Sequence, residues 1–180
     1  MPRGLRDTTA GVFHVTSHGV RATPLYLDDL DRMRFLRELA RVNREDGWTC
    51  IGFCLMRTHY HLIVQVSDDT LPRAMHALNF RYAGGFNARH GTRGHVFERR
   101  YYAGRLETRS HLLYAYRYVV RNPVTAGLCV MPAEWPWSSY GATIGHGDVE
   151  HSFVDAGRVL AELADGETDA VARLRELVEL

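Results

Sequence analysis

Two histidines flank a tyrosine at His59-Tyr60-His61. Side chains alternate along an extended strand, so both imidazoles leave the same face. Two neutral imidazoles at that spacing can hold one divalent cation; the same short pattern is also common as surface or core histidines without a metal. A second group is Tyr118 with Asn122 four residues on, flanked by Arg117 and Arg121. Residues i and i+4 share a helix face, which aims both side chains at one site. Pro123 acts against this, because the residue before a proline is pushed out of the helical region. A helical tyrosine is by default a core residue, and Tyr114 and Tyr116 are expected to pack there. A third group interleaves arginine with aromatics: Arg81-Tyr82, Phe97 to Tyr102 around Arg99 and Arg100, then Arg105, then Tyr116-Arg117-Tyr118. Guanidinium groups hold phosphates, and aromatic faces stack on unpaired bases at about 1–3 kcal/mol per base. A solvated strand and helix face is the competing explanation.

The elements that must position these groups follow from periodicity. Residues 11–18 alternate as a short strand. Asp28 or Asp29 caps an amphipathic helix over 31–46, with Met33, Leu36, Leu39, Ala40 and Asn43 on the apolar face and Gly47 at its end. Residues 48–56 read as a buried strand, Arg57-Thr58-His59 as a turn or strand edge, and 60–66 as the second arm of a hairpin. Leu71, Met75, Leu78, Tyr82 and Phe86 fall at helical spacing over 71–87. A strand bearing arginines is expected over 96–106. A third helix starts at a Thr or Ser cap near 108 and stops at Asn122-Pro123. Residues 132–140 form a turn-rich aromatic segment, and 150–180 hold one or two acidic helices. The order β-α-β-β-α-β predicts an α+β fold: a ferredoxin-like split βαβ antiparallel sheet with helices packed on one face, plus a C-terminal helical extension. The other face is left free to bind. The expected division is a domain over 1–145 and an acidic extension over 146–180.

The chain has 180 residues, 46% of them apolar and 24% charged, which fits one globular domain and excludes wholesale disorder. No apolar run approaches the roughly 20 residues a membrane helix needs, and residues 1–11 lack the apolar core of a secretory signal. Three cysteines without a C-x-x-C pair suit a reducing cytosol, with Cys50 and Cys54 as small buried side chains. All 22 basic residues are arginine, each a planar fork suited to bidentate phosphate contact. Residues 57–121 hold 11 arginines against 4 acids, whereas 122–180 hold 3 against 10. Either the centre binds a polyanion or the tail packs on the middle and neutralises it.

Four separated stretches together resemble the HUH single-tyrosine transposase family. His59-Tyr60-His61 after Cys54-Leu55-Met56 is similar to that family's C-L-M-P-N-H-x-H stretch. Leu78 to Tyr82, Phe86 to Gly91 and Gly94 to Phe97 look like its middle. Arg117-Tyr118-Val119-Val120-Arg121-Asn122-Pro123-Val124-Thr125-Ala126-Gly127-Leu128 resembles its nucleophile helix. Trp135-Pro136-Trp137-Ser138-Ser139-Tyr140 matches the W-P-W-S-S-Y box of the subgroup associated with repetitive extragenic palindromes (REP). The resemblance spans about residues 11–145. Two dipeptides depart from it: Arg57-Thr58 stands for the usual Pro-Asn, and Ser17-His18 for the usual Asn-Arg.

The resemblance implies an IS200-like transposase domain that cuts single-stranded DNA at hairpins through a 5′-phosphotyrosine. Tyr118 is then the nucleophile, and His59, His61 and Asn122 hold a divalent ion, Mg²⁺ or Mn²⁺. This carboxylate-free set is softer than Mg²⁺ prefers, so weak binding and a preference for Mn²⁺ are expected. Arg57, Arg81, Arg99, Arg100, Arg105 and Arg117 are the expected DNA contacts. The expected partner is hairpin DNA with a single-stranded flank, bound in the bacterial cytoplasm by a monomer, a dimer being the other arrangement among relatives. A non-catalytic nucleic-acid-binding module on the same kind of sheet remains the competing class.

Overall fold

A computed structural model describes residues 9–146, 152–164 and 169–180. Strands β1 (Gly11–His18), β2 (Thr49–Leu55), β3 (His59–Val66) and β4 (Tyr102–Arg105) form one antiparallel sheet in the order β2-β3-β1-β4. Helices α1 (Asp29–Glu45), α2 (Leu71–His90) and α3 (Arg109–Thr125) are the three long ones, and α4 (Tyr140–Thr143), α5 (Ala156–Ala161) and α6 (Ala170–Glu179) follow. This is the split βαβ arrangement expected from the element order.

The alternation of strand side chains divides the sheet into two faces. Phe13, Val15, Phe53, Leu55, Tyr60, Leu62 and Val64 point to one side and are buried under α1 and α2. The Asp28 carboxylate caps α1 by accepting from the Asp31 amide, and Phe35, Leu36, Leu39 and Val42 form its buried stripe. Met33, Ala40 and Asn43 lie at the edge of that stripe instead of inside it. Asn43 is used differently: its Oδ1 accepts from the Cys50 amide at 2.9 Å and ties α1 to β2.

The second face is free only in part. Ile51, Cys54 and Ile63 emerge there and are covered by α3, with Val159, Leu174 and Val178 of the C-terminal helices joining the same cluster. Apolar side chains on both faces of β2 demand cover on both. A register shift between Cys50 and Gly52 puts Ile51 on this side. Gly52 lets α3 come close: a Cβ there would stand 3.0 Å from the Tyr116 ring. Tyr116 is wholly buried and donates to Thr143 Oγ1 at 2.8 Å, so it cannot yield easily.

Two expected elements differ from what is found. The fourth strand is only four residues long, and Arg99 and Arg100 lie in a loop before it, not on a strand. Phe97 and Tyr101 dock against the core while the charged residues between them turn out to solvent, which bends the chain. The third helix does not stop at Asn122-Pro123 but continues to Thr125 with Pro123 inside it. A proline there forfeits only the bond to the Val119 carbonyl. Pro123 is buried in its last turn, and the Ala126 and Leu128 amides bond to Asn122 and Pro123 carbonyls.

Candidate active site

His59 and His61 leave β3 on the half-open face, as period two requires. Antiparallel pairing sets His18 opposite His59 and Thr16 opposite His61. Two further histidines of β1 therefore lie on this face. The His18 and His59 rings stack with centroids 4.9 Å apart, and His14 Nε2 lies 3.0 Å from His61 Nδ1. Neither His14 nor His18 was singled out as a site residue from the sequence. Their parity within β1 is visible there, but the register that sets them against β3 is not.

The phenol comes from α3. The Tyr118 ring stands edge-on to His61 at 5.5 Å and to His14 at 5.9 Å between centroids, while the residue is 49% exposed. Tyr116, two residues away and on the opposite side of the helix, is fully buried. Tyr114 does not join it in the core. It lies one turn from Tyr118 on the same face and is 72% exposed, as the i, i+4 relation dictates.

Because the helix persists through Pro123, Asn122 stays on the face of Tyr118. Its Nδ2 donates to the Tyr118 carbonyl at 2.9 Å. The carbonyl can only accept, so the amide oxygen is the atom left for other partners. The side chain favours the protonated form of both His59 and His61, as an acceptor near both rings does. Burial wins over that contact. It pushes the His61 pKa down to about 3, with the neighbouring His14 and His59 adding to the effect. Burial also lowers His14 and His59. All three rings are thus neutral at pH 7, the state a metal ligand needs.

This donor set fits a divalent cation. His61 Nε2 is buried and has no hydrogen-bond partner, and an unpartnered ring nitrogen beside a second imidazole and an amide is what a cation would satisfy. Among the described residues no three His, Cys, Asp or Glu side chains gather as a ready-made cluster; the third donor here is an amide.

The arginines divide by location. Arg57 is exposed in the β2–β3 turn, two residues before His59. The Glu98 amide bonds to the His18 carbonyl at 3.0 Å, which brings exposed Arg99 and Arg100 to the same end of the sheet. Arg117 follows Tyr116 on α3 and donates through Nε to the Leu177 carbonyl of α6 at 2.7 Å. Arg81 and Arg105 are not brought to the histidines. Arg81 pairs with Glu45 at 2.9 Å in the α1–α2 layer, and Arg105 lies over the Phe13 ring on that same face of the sheet. Arg121 was not among the expected DNA contacts. It donates to the Val178 carbonyl of α6, one turn from Arg117.

Comparison with solved structures gives a chain of the same fold: a REP-associated tyrosine transposase bound to a REP hairpin, with a TM-score of 0.69, 16% sequence identity, and coverage of 82% of this chain and 87% of that one. No curated protein sequence matches the chain significantly. No helix among the described residues is long and apolar enough to cross a membrane. The family model described as transposase IS200-like matches residues 18–122, more than half of the chain and a span that contains His59, His61, Tyr118 and Asn122. The chain is a member of the IS200-like transposase family.

Proposed function

We propose that this transposase cleaves and rejoins single-stranded DNA at REP-like hairpins, with Tyr118 as its covalent nucleophile. The observation that carries the reading is a half-exposed phenol set edge-on to a buried, neutral imidazole whose outer nitrogen lacks a partner. Tyr116, two residues away on the same helix, is instead buried and bonded to Thr143.

In the proposed step the Tyr118 oxygen attacks phosphorus. A phosphorus–Oη bond forms and the phosphorus–O3′ bond breaks. The phenol proton leaves to solvent and the 3′ oxygen gains one, giving a 5′-phosphotyrosine and a free 3′-OH. One phosphodiester is exchanged for another, so rejoining by a 3′-OH needs no nucleotide cofactor. His59, His61 and Asn122 are the residues that would hold Mg²⁺ or Mn²⁺. Such an ion, when bound, stabilises negative charge building on the scissile phosphate. Two imidazoles and an amide favour Mn²⁺ over Mg²⁺. Arg57, Arg99, Arg100 and Arg117 supply the phosphate contacts close to the site, and exposed Tyr102 and Tyr114 offer ring faces for unpaired bases. One chain brings its own tyrosine to its own histidines, which supports action as a monomer. Residues 1–145 form the catalytic domain, and 146–180 are its acidic extension.

The test is denaturing electrophoresis of labelled hairpin DNA with a single-stranded flank, incubated with the chain and Mn²⁺. A covalent adduct that Tyr118→Phe abolishes is the expected result. Tight binding with no adduct on any hairpin would make the chain a binding module.

A further inference from the structure

His61 meets the Tyr118 ring, the His59 ring with centroids 5.0 Å apart and, through Nδ1, the His14 side chain of the neighbouring strand. Two ring nitrogens 3.0 Å apart share one proton, because two bare nitrogens would repel and two N–H groups would clash. If the proton sits on His61 Nδ1, the Nε2 lone pair is bare. If it sits on His14 Nε2, His61 must carry its own proton on Nε2 and has nothing to offer a cation. Which ring owns the proton therefore decides whether His61 is a ligand.

The geometry points to His14 as a positioning residue: it accepts the His61 Nδ1–H, fixes the His61 ring, and leaves Nε2 bare toward Tyr118 and Asn122. This rests on the reading of His61 as a metal ligand. Three features of the surroundings agree with it. The rings stack with an interplanar angle of 26°, so the bond and the packing hold the same orientation. Thr16, directly opposite His61, turns its hydroxyl to the Tyr60 carbonyl and leaves Nδ1 to His14. His61 Nε2 finds no other partner. His14 also stands edge-on to Tyr118, so one side chain orients the ligand ring and borders the phenol. His18 only stacks on His59 and is not assigned this role.

Two measurements on the full chain test the role. The first is the tautomer of His61, read from two-bond ¹H–¹⁵N correlations of the metal-free protein and of the protein with Mg²⁺. The Nδ1–H form is expected in wild type, and loss of a single tautomer in His14→Phe. The second is Mn²⁺ affinity by calorimetry. His14→Phe should weaken it by about 10–100-fold, the usual cost of removing an outer-shell partner. His14→Gln, whose side-chain oxygen can accept the same proton, should recover most of the loss. Thermal melts of both variants show whether they fold. An Nε2–H tautomer in wild type, or a folded His14→Phe chain that binds Mn²⁺ as tightly as wild type, would overturn the role. Wild type that binds no Mn²⁺ would instead sink the metal reading, and the tautomer would still decide what His14 does.

Discussion

The two faces of the sheet are built from the same strands and behave differently. On β3, Tyr60, Leu62 and Val64 point under α1 and α2 into a dry core, whereas His59 and His61 point at α3. On β1, Phe13 and Val15 face the core, and His14 and His18 face the site. On the core face the Tyr60 phenol is tied down: its Oη donates to Asn79 Oδ1 at 2.6 Å. The site face keeps an imidazole nitrogen without a partner and a tyrosine half in water. Apolar side chains are buried on both faces, but the α3 side also sets an unpartnered imidazole nitrogen beside a half-exposed phenol. The fold thus orients the His61 ring without tying up its Nε2.

Substitutions on the two faces should separate these roles. The largest effect is expected at Tyr118→Phe, which removes the proposed attacking oxygen and no packing. Cleavage should fall below detection while the thermal midpoint stays within a few degrees, read by gel assay and calorimetry. On the core face Leu62→Ala should do the reverse. Truncating a buried leucine costs about 2–5 kcal/mol, so chemical denaturation should show a large loss while the folded fraction still cuts. Gly52→Ala lies between the faces. A methyl 3.0 Å from the Tyr116 ring makes that ring, and α3 with it, give by a few tenths of an ångström. Cleavage should drop by more than the modest stability loss accounts for, because Tyr118 rides on that helix.

The smallest effect expected is on the pH dependence of folding without metal. His61 has its pKa lowered from 6.5 to about 3, first by burial. The unfolded chain then binds more protons than the folded one between those values. Its contribution to stability is fully present above about pH 6.5 and is lost as pH falls toward 3, by about 1.4 kcal/mol per pKa unit at most. His14 and His59 shift in the same direction. Urea midpoints at pH 7 and pH 5 should fall more for wild type than for His61→Phe.

Much of this division is legible in the sequence. The alternation through 59–66 fixes which residues share a face, and the four-residue step from Tyr118 to Asn122 fixes the helical pair. What the sequence hides is what depends on pairing across distance. His14 and His18 join the site only because β1 registers against β3, and nothing local states that register. Pro123 misleads for a different reason. Local preference disfavours a helical Asn122, but burial of Pro123 and the bonds of the following turn outweigh it. Arg81 and Arg105 look like Arg99 and Arg100 in the sequence, yet Glu45 and the Phe13 ring hold them on the core side.

The most direct measurement is where DNA becomes attached. Trypsin cuts after Arg117 and Arg121, so the peptide 118–121 contains Tyr118 and no other tyrosine. After reaction with hairpin DNA and Mn²⁺, nuclease trimming and mass spectrometry should find a nucleotide remnant on that peptide. A remnant on the peptide holding Tyr114 and Tyr116, or cut DNA with no peptide attached, would contradict attack by Tyr118.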